Sequence, residues 1–303
     1  MCEHDHTPPG YTPRDDIEND WRFRVHLELI RHGHNKAAFE FLHCEDVDTW
    51  HAVKVCPTNP AHHSKAVMFS CHLRICPECA RRDAARLVNR YKPHIEQVVR
   101  DGPRHWKLRH ITVTTKYSLH AKDAKQQLRR ARKLVNTFLD KLLGPNWYKS
   151  GQGVLVGAEY GPDGHLLHFH ILHYGPFQEQ KKVSEIWEAL TGFPIVWVTK
   201  VNVETGLREI VKYVSKLSEM SAANAARLHE VIKGTRRVWS RGSFFRILAV
   251  DAPQLCKVCG TPIVKWSVSQ WRAKMKRLNL IRGNNSSSND PPNYQQMTLT
   301  GVS

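Results

Sequence analysis

In the stretch HLLHFHILH, residues 165–173, His168 and His170 alternate with Phe169 and Ile171. On a β-strand, period two puts both imidazoles on one face, about 7 Å apart at the backbone, and both apolar side chains on the other. Two neutral imidazoles at that spacing can share one ion. Glu159 lies nine residues before His168, with Gly161-Pro162-Asp163-Gly164 between them. That run is a turn signal, so a hairpin brings the carboxylate beside the imidazole pair. Two imidazoles and one carboxylate leave positions open for phosphate oxygens on a Mg2+ or Mn2+ ion. A surface strand with polar alternate residues has the same pattern.

A second group lies in LREIVKYVSKLSEM, residues 207–220, where Leu207, Ile210, Val211, Val214 and Leu217 make the buried stripe of a helix. Tyr213 and Lys216, three apart, share one flank of that stripe. A phenol there can reach a site on a sheet; it can equally be an amphipathic side chain at a helix border.

The third group is cysteine. Eight of them in a chain of this length, with no basic-then-apolar leader, point to metal rather than a disulfide scaffold. Cys76 and Cys79 have the two-residue spacing that lets one turn bind an ion twice, and Cys56 and Cys71 complete a tetrahedral structural zinc. His62, His63 or His72 can replace one cysteine. Cys256 and Cys259 form a second knuckle and a candidate second zinc pair. Its partners are open: Cys44 with His43, a second copy of the chain, or none.

The elements that must position these groups follow from periodicity. LRHITVTT (108–115) alternates as a strand, with His110, Thr112 and Thr114 on one face. Helices are expected over 80–99 with a break near Pro93, over 120–143, 178–191, 207–220 and 222–233. The helix at 120–143 repeats Leu128, Ala131, Val135, Phe138, Leu139 and Leu142 and stops at Gly144-Pro145. Strands are expected at 153–160, 165–173 and 195–201, with another in 236–250. Strands mixed with helices in this order give an α+β domain, helices over an antiparallel sheet. The domain division reads: a loose segment 1–20, a Cys/His-rich zinc module with a basic helix at 21–100, a catalytic domain at 101–250, a CxxC segment with a basic helix at 251–283, and a disordered tail at 284–303.

Composition narrows the partner. Lys and Arg number 45 against 28 Asp and Glu, a net +17. Residues 1–50 hold 5 basic against 11 acidic side chains, 100–149 hold 13 against 3, and 233–282 hold 12 against 1. Solubility needs no such asymmetry, whereas a polyanion does. The candidate DNA contacts are Arg129, Arg130, Arg132, Lys133, Arg236, Arg237 and Arg241, with salt-sensitive affinity. Trp239, Phe244 and Phe245 interleave with arginines and can stack bases, though core filling is the competing role for at least two of them. No apolar run reaches the roughly 20 residues of a spanning helix, which excludes a membrane role and leaves a cytoplasmic one.

Taken in order, HITVTT (110–115), GAEYGPDGHLLHFHIL (157–172) and KYVSK (212–216) resemble the three motifs of the HUH endonuclease superfamily. Within it they are similar to the rolling-circle replication initiators of small plasmids and single-stranded DNA phages. The resemblance covers roughly residues 105–250. It implies a five-stranded antiparallel sheet with the His-x-His strand near its centre. It also implies a tyrosine nickase and ligase: Tyr213 the nucleophile, Lys216 a helper, and His168, His170 and Glu159 ligands of Mg2+ or Mn2+. The DNA strand would be cut through a 5′-phosphotyrosyl adduct at an origin, with host helicase and polymerase as partners. Lys216 stands where two-tyrosine initiators carry their second tyrosine. An HUH transposase or relaxase, a non-catalytic zinc-containing nucleic-acid-binding protein, and a phosphodiesterase using water are the alternatives.

Overall fold

The computed structural model describes residues 13–46, 51–212, 217, 219–245, 247 and 254–278, and of 13–20 the backbone alone. Tyr213, Lys216 and the expected tail at 284–303 lie outside the described residues. The chain divides into two compact units, one from residues 1–38 and 73–249, the other from 39–72 and 250–303.

The first unit is built on a five-stranded sheet. Its strands are β3 (Lys107–Thr115), β4 (Gly153–Tyr160), β5 (Leu167–Gly175), β6 (Val196–Lys200) and β7 (Val238–Gly242). They lie in the order β6-β3-β5-β4-β7 and every pairing is antiparallel, so the His-x-His strand β5 is central, as expected. The hairpin across Gly161–Gly164 pairs Glu159 with His168 and Gly157 with His170.

Helices cover both faces. Phe169 and Ile171 point to the side of α4 (Ala124–Leu143) and α5 (Gln180–Thr191), where Phe138 and Trp187 meet edge to face at 5.3 Å. The buried residues of α4 include all six of the expected stripe, because the 3.6-residue period and the Gly144 stop are both strong signals. The opposite face carries α3 (Pro77–Asp101) and α6 (Val203–Val211), whose Ile95, Leu207 and Ile210 pack with Leu108, Leu155, Leu172, Tyr174 and Phe244.

Two helices differ from the sequence reading. α3 runs unbroken through Pro93. Proline removes one helical hydrogen bond. Beyond it, buried Ile95 and the His94 Nε2 contact with the Ser243 carbonyl at 2.7 Å hold the last turns in place. α6 starts at Val203, earlier than 207, because Asn202 caps it by accepting the Thr205 N–H at 2.7 Å. Leu217 already lies in a turn. α7 (Ala222–Ile232) and β7 fall inside their expected spans. A helix not foreseen, α1 (Pro13–Arg31), begins within the segment read as loose; Val25 and Leu29 are buried, and Trp21 donates to the Met220 carbonyl at 2.7 Å.

The second unit has a three-stranded antiparallel sheet, β2-β1-β8, from β1 (Ala52–Val55), β2 (Ser64–Val67) and β8 (Val264–Ser267), followed by α8 (Val268–Arg277). Val53, Val55, Trp271 and Met275 form its small core. This unit joins chain segments that lie far apart in the sequence. α2 (Asn35–Leu42) precedes Cys44. No described helix is long and apolar enough to cross a membrane.

Candidate metal centre

The sheet face beneath α3 and α6 is apolar at one end and polar at the other. Leu108, Leu155, Leu172 and Tyr174 occupy the apolar end. Strand alternation then places His110, Thr112 and Thr114 on β3, Gly157 and Glu159 on β4, and His168 and His170 on β5 at the other. Gly157 lets the helix come close: a Cβ there would stand 2.7 Å from the Ile210 carbonyl oxygen on α6.

At this polar end, one ligand atom each of His110, His170 and Glu209 lies within 4.8 Å of the others, a HUH-like metal-binding group. His110 Nε2 is 3.1 Å from His170 Nδ1, and the two rings stack 5.2 Å apart. His170 Nε2 is buried without a hydrogen-bond partner and stands 3.5 Å from Glu159 Oε2. Glu159 is only 2% exposed. His168 Nδ1 pairs with Thr114 Oγ1 at 3.0 Å. Glu209 also meets Lys212 Nζ at 3.3 Å.

Burial is the chief cause that holds His110 down to about pKa 4, and the neighbouring His170 adds to it. His110 is therefore neutral at physiological pH, as a metal ligand must be. Two imidazole nitrogens with a carboxylate oxygen from Glu209 suit a divalent ion that also takes phosphate oxygens, while Glu159 faces the other ring nitrogen of His170. His168, His170 and Glu159, the set read from the sequence, share this face. His110 and Glu209 were not read as ligands: strand pairing brings the first to His170 and α6 delivers the second. Period two in 108–115 was the available signal for His110.

Of the described tyrosines near the site, Tyr160 follows Glu159 but faces the opposite side of the sheet. It is 2% exposed, and burial pushes its phenol up. Tyr213 follows directly on Lys212, the C-terminal cap of α6, outside the described residues.

The cysteines sort differently from the sequence reading. Cys44, Cys71, Cys76 and Cys79 bring their sulfurs within 4.8 Å of one another, a buried four-thiol zinc-binding cluster. Cys76 caps α3, Pro77 occupies its first turn, and Cys79 lies one turn on. Cys44 therefore takes the place expected for Cys56. Spacing shows that a CxxC pair needs two more thiols, and it does not rank Cys44 against Cys56. Cys56 instead groups with His62, Cys256 and Cys259. The Cys259 thiol is held down to about 5, first by the Thr261 hydroxyl and then by the Thr261 backbone N–H and His62.

The seven basic candidates divide. Arg129 and Lys133 on α4 and Arg236 before β7 are exposed, and Arg130 is exposed with Asp123 3.8 Å away. Arg132 lies over the Trp239 ring at 4.8 Å. Arg237 is buried with its Nε donating to the Ala158 carbonyl at 3.4 Å, and Arg241 is bound to Asp140 at 2.9 Å and lies over Trp147. Among the aromatics, Phe244 is fully buried, Trp239 donates to Asn136 at 3.3 Å and packs on Phe169, and Phe245 is exposed.

Residues 16–106 match the IS91-type transposase zinc-binding domain family. That span contains all four residues of the thiol cluster. No curated protein and no solved structure matches the chain.

Proposed function

We propose that this chain is a transposase-type DNA strand-transfer enzyme of the HUH superfamily, which cuts and rejoins single-stranded DNA through Tyr213. The observation that carries the reading is the group of buried His110 and His170 on the sheet with half-buried Glu209 of α6, with Glu159 beside it and Tyr213 next in sequence after the cap of α6. The match of residues 16–106 to a transposase zinc-binding domain favours a transposase over a replication initiator with the same chemistry.

A bound divalent ion would polarise the scissile phosphate and neutralise charge on its oxygens. His110, His170 and Glu209 would hold it, with Glu159 beside His170 Nε2 orienting that ring and His168 paired with Thr114. The phenolate oxygen of Tyr213 attacks phosphorus, the bond to the 3′ oxygen breaks, and that oxygen takes up a proton as a free 3′-hydroxyl. The 5′-phosphotyrosyl product keeps the phosphoester for reversal: an incoming 3′-hydroxyl displaces the phenol and seals a strand. A phenol of pKa near 10 needs a nearby cation to act at neutral pH, and Lys216, three residues on in the sequence, is the candidate to supply it.

DNA contacts would come from Arg129, Arg130, Lys133 and Arg236. Trp197 supports single-stranded substrate: it is 63% exposed and pairs in register with Thr112, which in turn pairs with His170. An exposed indole on the same sheet face, two strands or about 10 Å from the ligand strand, can stack a base.

Incubated with Mn2+ and a library of single-stranded oligonucleotides, the protein should cut one strand and remain joined to the 5′ side. His170→Ala should lose at least 100-fold in cutting while still binding DNA. Metal-independent cutting, or full-rate cutting by His170→Ala, would overturn the reading.

A further inference from the structure

We propose that Cys56, His62, Cys256 and Cys259 hold a second structural zinc ion, which fastens β8 and the knuckle before it to the β1–β2 hairpin. All four belong to the three-stranded unit, and one ligand atom from each lies within 4.8 Å of the others. A tetrahedral zinc with bonds of about 2.3 Å places its sulfurs about 3.8 Å apart. Cys56 Sγ and Cys259 Sγ are 3.4 Å apart, too far for a disulfide and close enough for one ion. His62 Nδ1 is buried and makes no hydrogen bond.

The backbone on both sides is shaped to present these atoms. Gly260 adopts φ +71° after Cys259, its N–H reaches the Cys256 carbonyl at 2.9 Å, and the Cys256 N–H reaches the Thr261 carbonyl at 2.8 Å. The turn therefore aims both thiols of the pair the same way. On the other side, Asn59 caps a short 3-10 turn over Pro60–His62, and the Cys56 N–H donates to the His63 carbonyl at 3.0 Å. This brings His62 back beside Cys56.

The sheet itself shows why an ion is needed. β8 has four residues, and its partner contacts set Lys265 directly across from Lys54, which faces Lys65 on its other side. All three lysines are exposed, and like charges directly opposite one another weaken strand pairing. The four-residue core of Val53, Val55, Trp271 and Met275 is small for joining segments 203 residues apart. A metal staple at the end of β1 closes that gap. It lies partly outside residues 16–106, since Cys256 and Cys259 come from the far end of the chain.

The test is Co2+ titration of the metal-stripped, reduced full-length chain, read by sulfur-to-cobalt charge-transfer absorbance, which counts thiolate-bound ions and ignores the His110 group. Wild type should saturate at two equivalents, and Cys256→Ser with Cys259→Ser at one. His62→Cys should keep two equivalents and add the absorbance of one more thiolate. Saturation of wild type at one equivalent, or an unchanged double variant, would overturn the proposal. So would His62→Cys without added absorbance, and that readout does not depend on the double variant folding.

Discussion

The two units hold their candidate ligands in opposite ways. In the five-stranded unit, His110, His170 and Glu159 stand on strands whose register is fixed by two apolar faces, and Leu172 and Ile210 pack beside them. The site there is an end of a completed core, so the protein keeps its shape whether or not an ion is bound. In the three-stranded unit the described core cluster has four buried side chains with four half-buried ones against it, and the candidate ligands come from distant segments. There, the proposed ion would supply what burial does not. A metal that serves chemistry sits on a scaffold stabilised by burial, and a metal that serves structure replaces burial.

The strongest way to break this comparison is to remove thiolates. Replacing Cys256 and Cys259 with Ser should release one zinc and unfold the three-stranded unit far below its wild-type melting temperature, since structural zinc contributes on the order of 10 kcal/mol in small domains. An unchanged melting temperature and zinc content would erase the distinction. Next in size is Leu172→Ala at the apolar end of the site face, which should cost about 2–5 kcal/mol in urea unfolding, with cutting by the folded fraction retained.

Gly157→Ala sharpens the contrast. Its Cβ would meet the Ile210 carbonyl oxygen, so α6 must lift. Cutting should fall at least tenfold, for a stability cost of about 1–3 kcal/mol. A variant with normal rate would detach α6 from the chemistry.

Acid should act on the five-stranded unit through its buried imidazoles. Burial, and then the Arg109 charge, hold His173 at about pKa 3; burial, then His34 and Lys233, hold His229 at about 4. Both values lie below the unfolded value of about 6.5, so the unfolded chain takes up protons first. Stability should be full above about pH 6.5 and fall with pH toward 4, by up to about 1.4 kcal/mol per pH unit for each group. His173→Gln should flatten that slope in chemical denaturation. The smallest effect is expected at the surface. Arg129→Ala or Lys133→Ala should leave stability within about 0.5 kcal/mol and lower the salt dependence of DNA binding by about one ion each.

Legibility in the sequence tracked the range of the interaction. The α4 stripe, the hairpin at Gly161–Gly164 and the shared face of His168 and His170 are set by residues close together, and each was readable. What depended on long-range pairing was not. His110 reaches His170 across 60 residues, and Glu209 arrives on a helix whose start was read four residues late. Cys44 and Cys56 both suit the fourth thiol by spacing, and only the folded positions of the sulfurs decide between them. β8 alternates Val264, Lys265, Trp266 and Ser267, but four residues are too short a run to mark a strand, and it becomes one by pairing with β1. Pro93 gave a local signal for a break that tertiary packing overrode.

The central claim is that the ligand group on the five-stranded sheet serves a tyrosine carried just beyond α6. The most direct measurement is peptide mass mapping of the protein after reaction with a single-stranded oligonucleotide and Mn2+. The account predicts one nucleotide-modified peptide containing Tyr213, absent from Tyr213→Phe and from His170→Ala. Cut DNA with no modified peptide, or a modified tyrosine other than Tyr213, would contradict it.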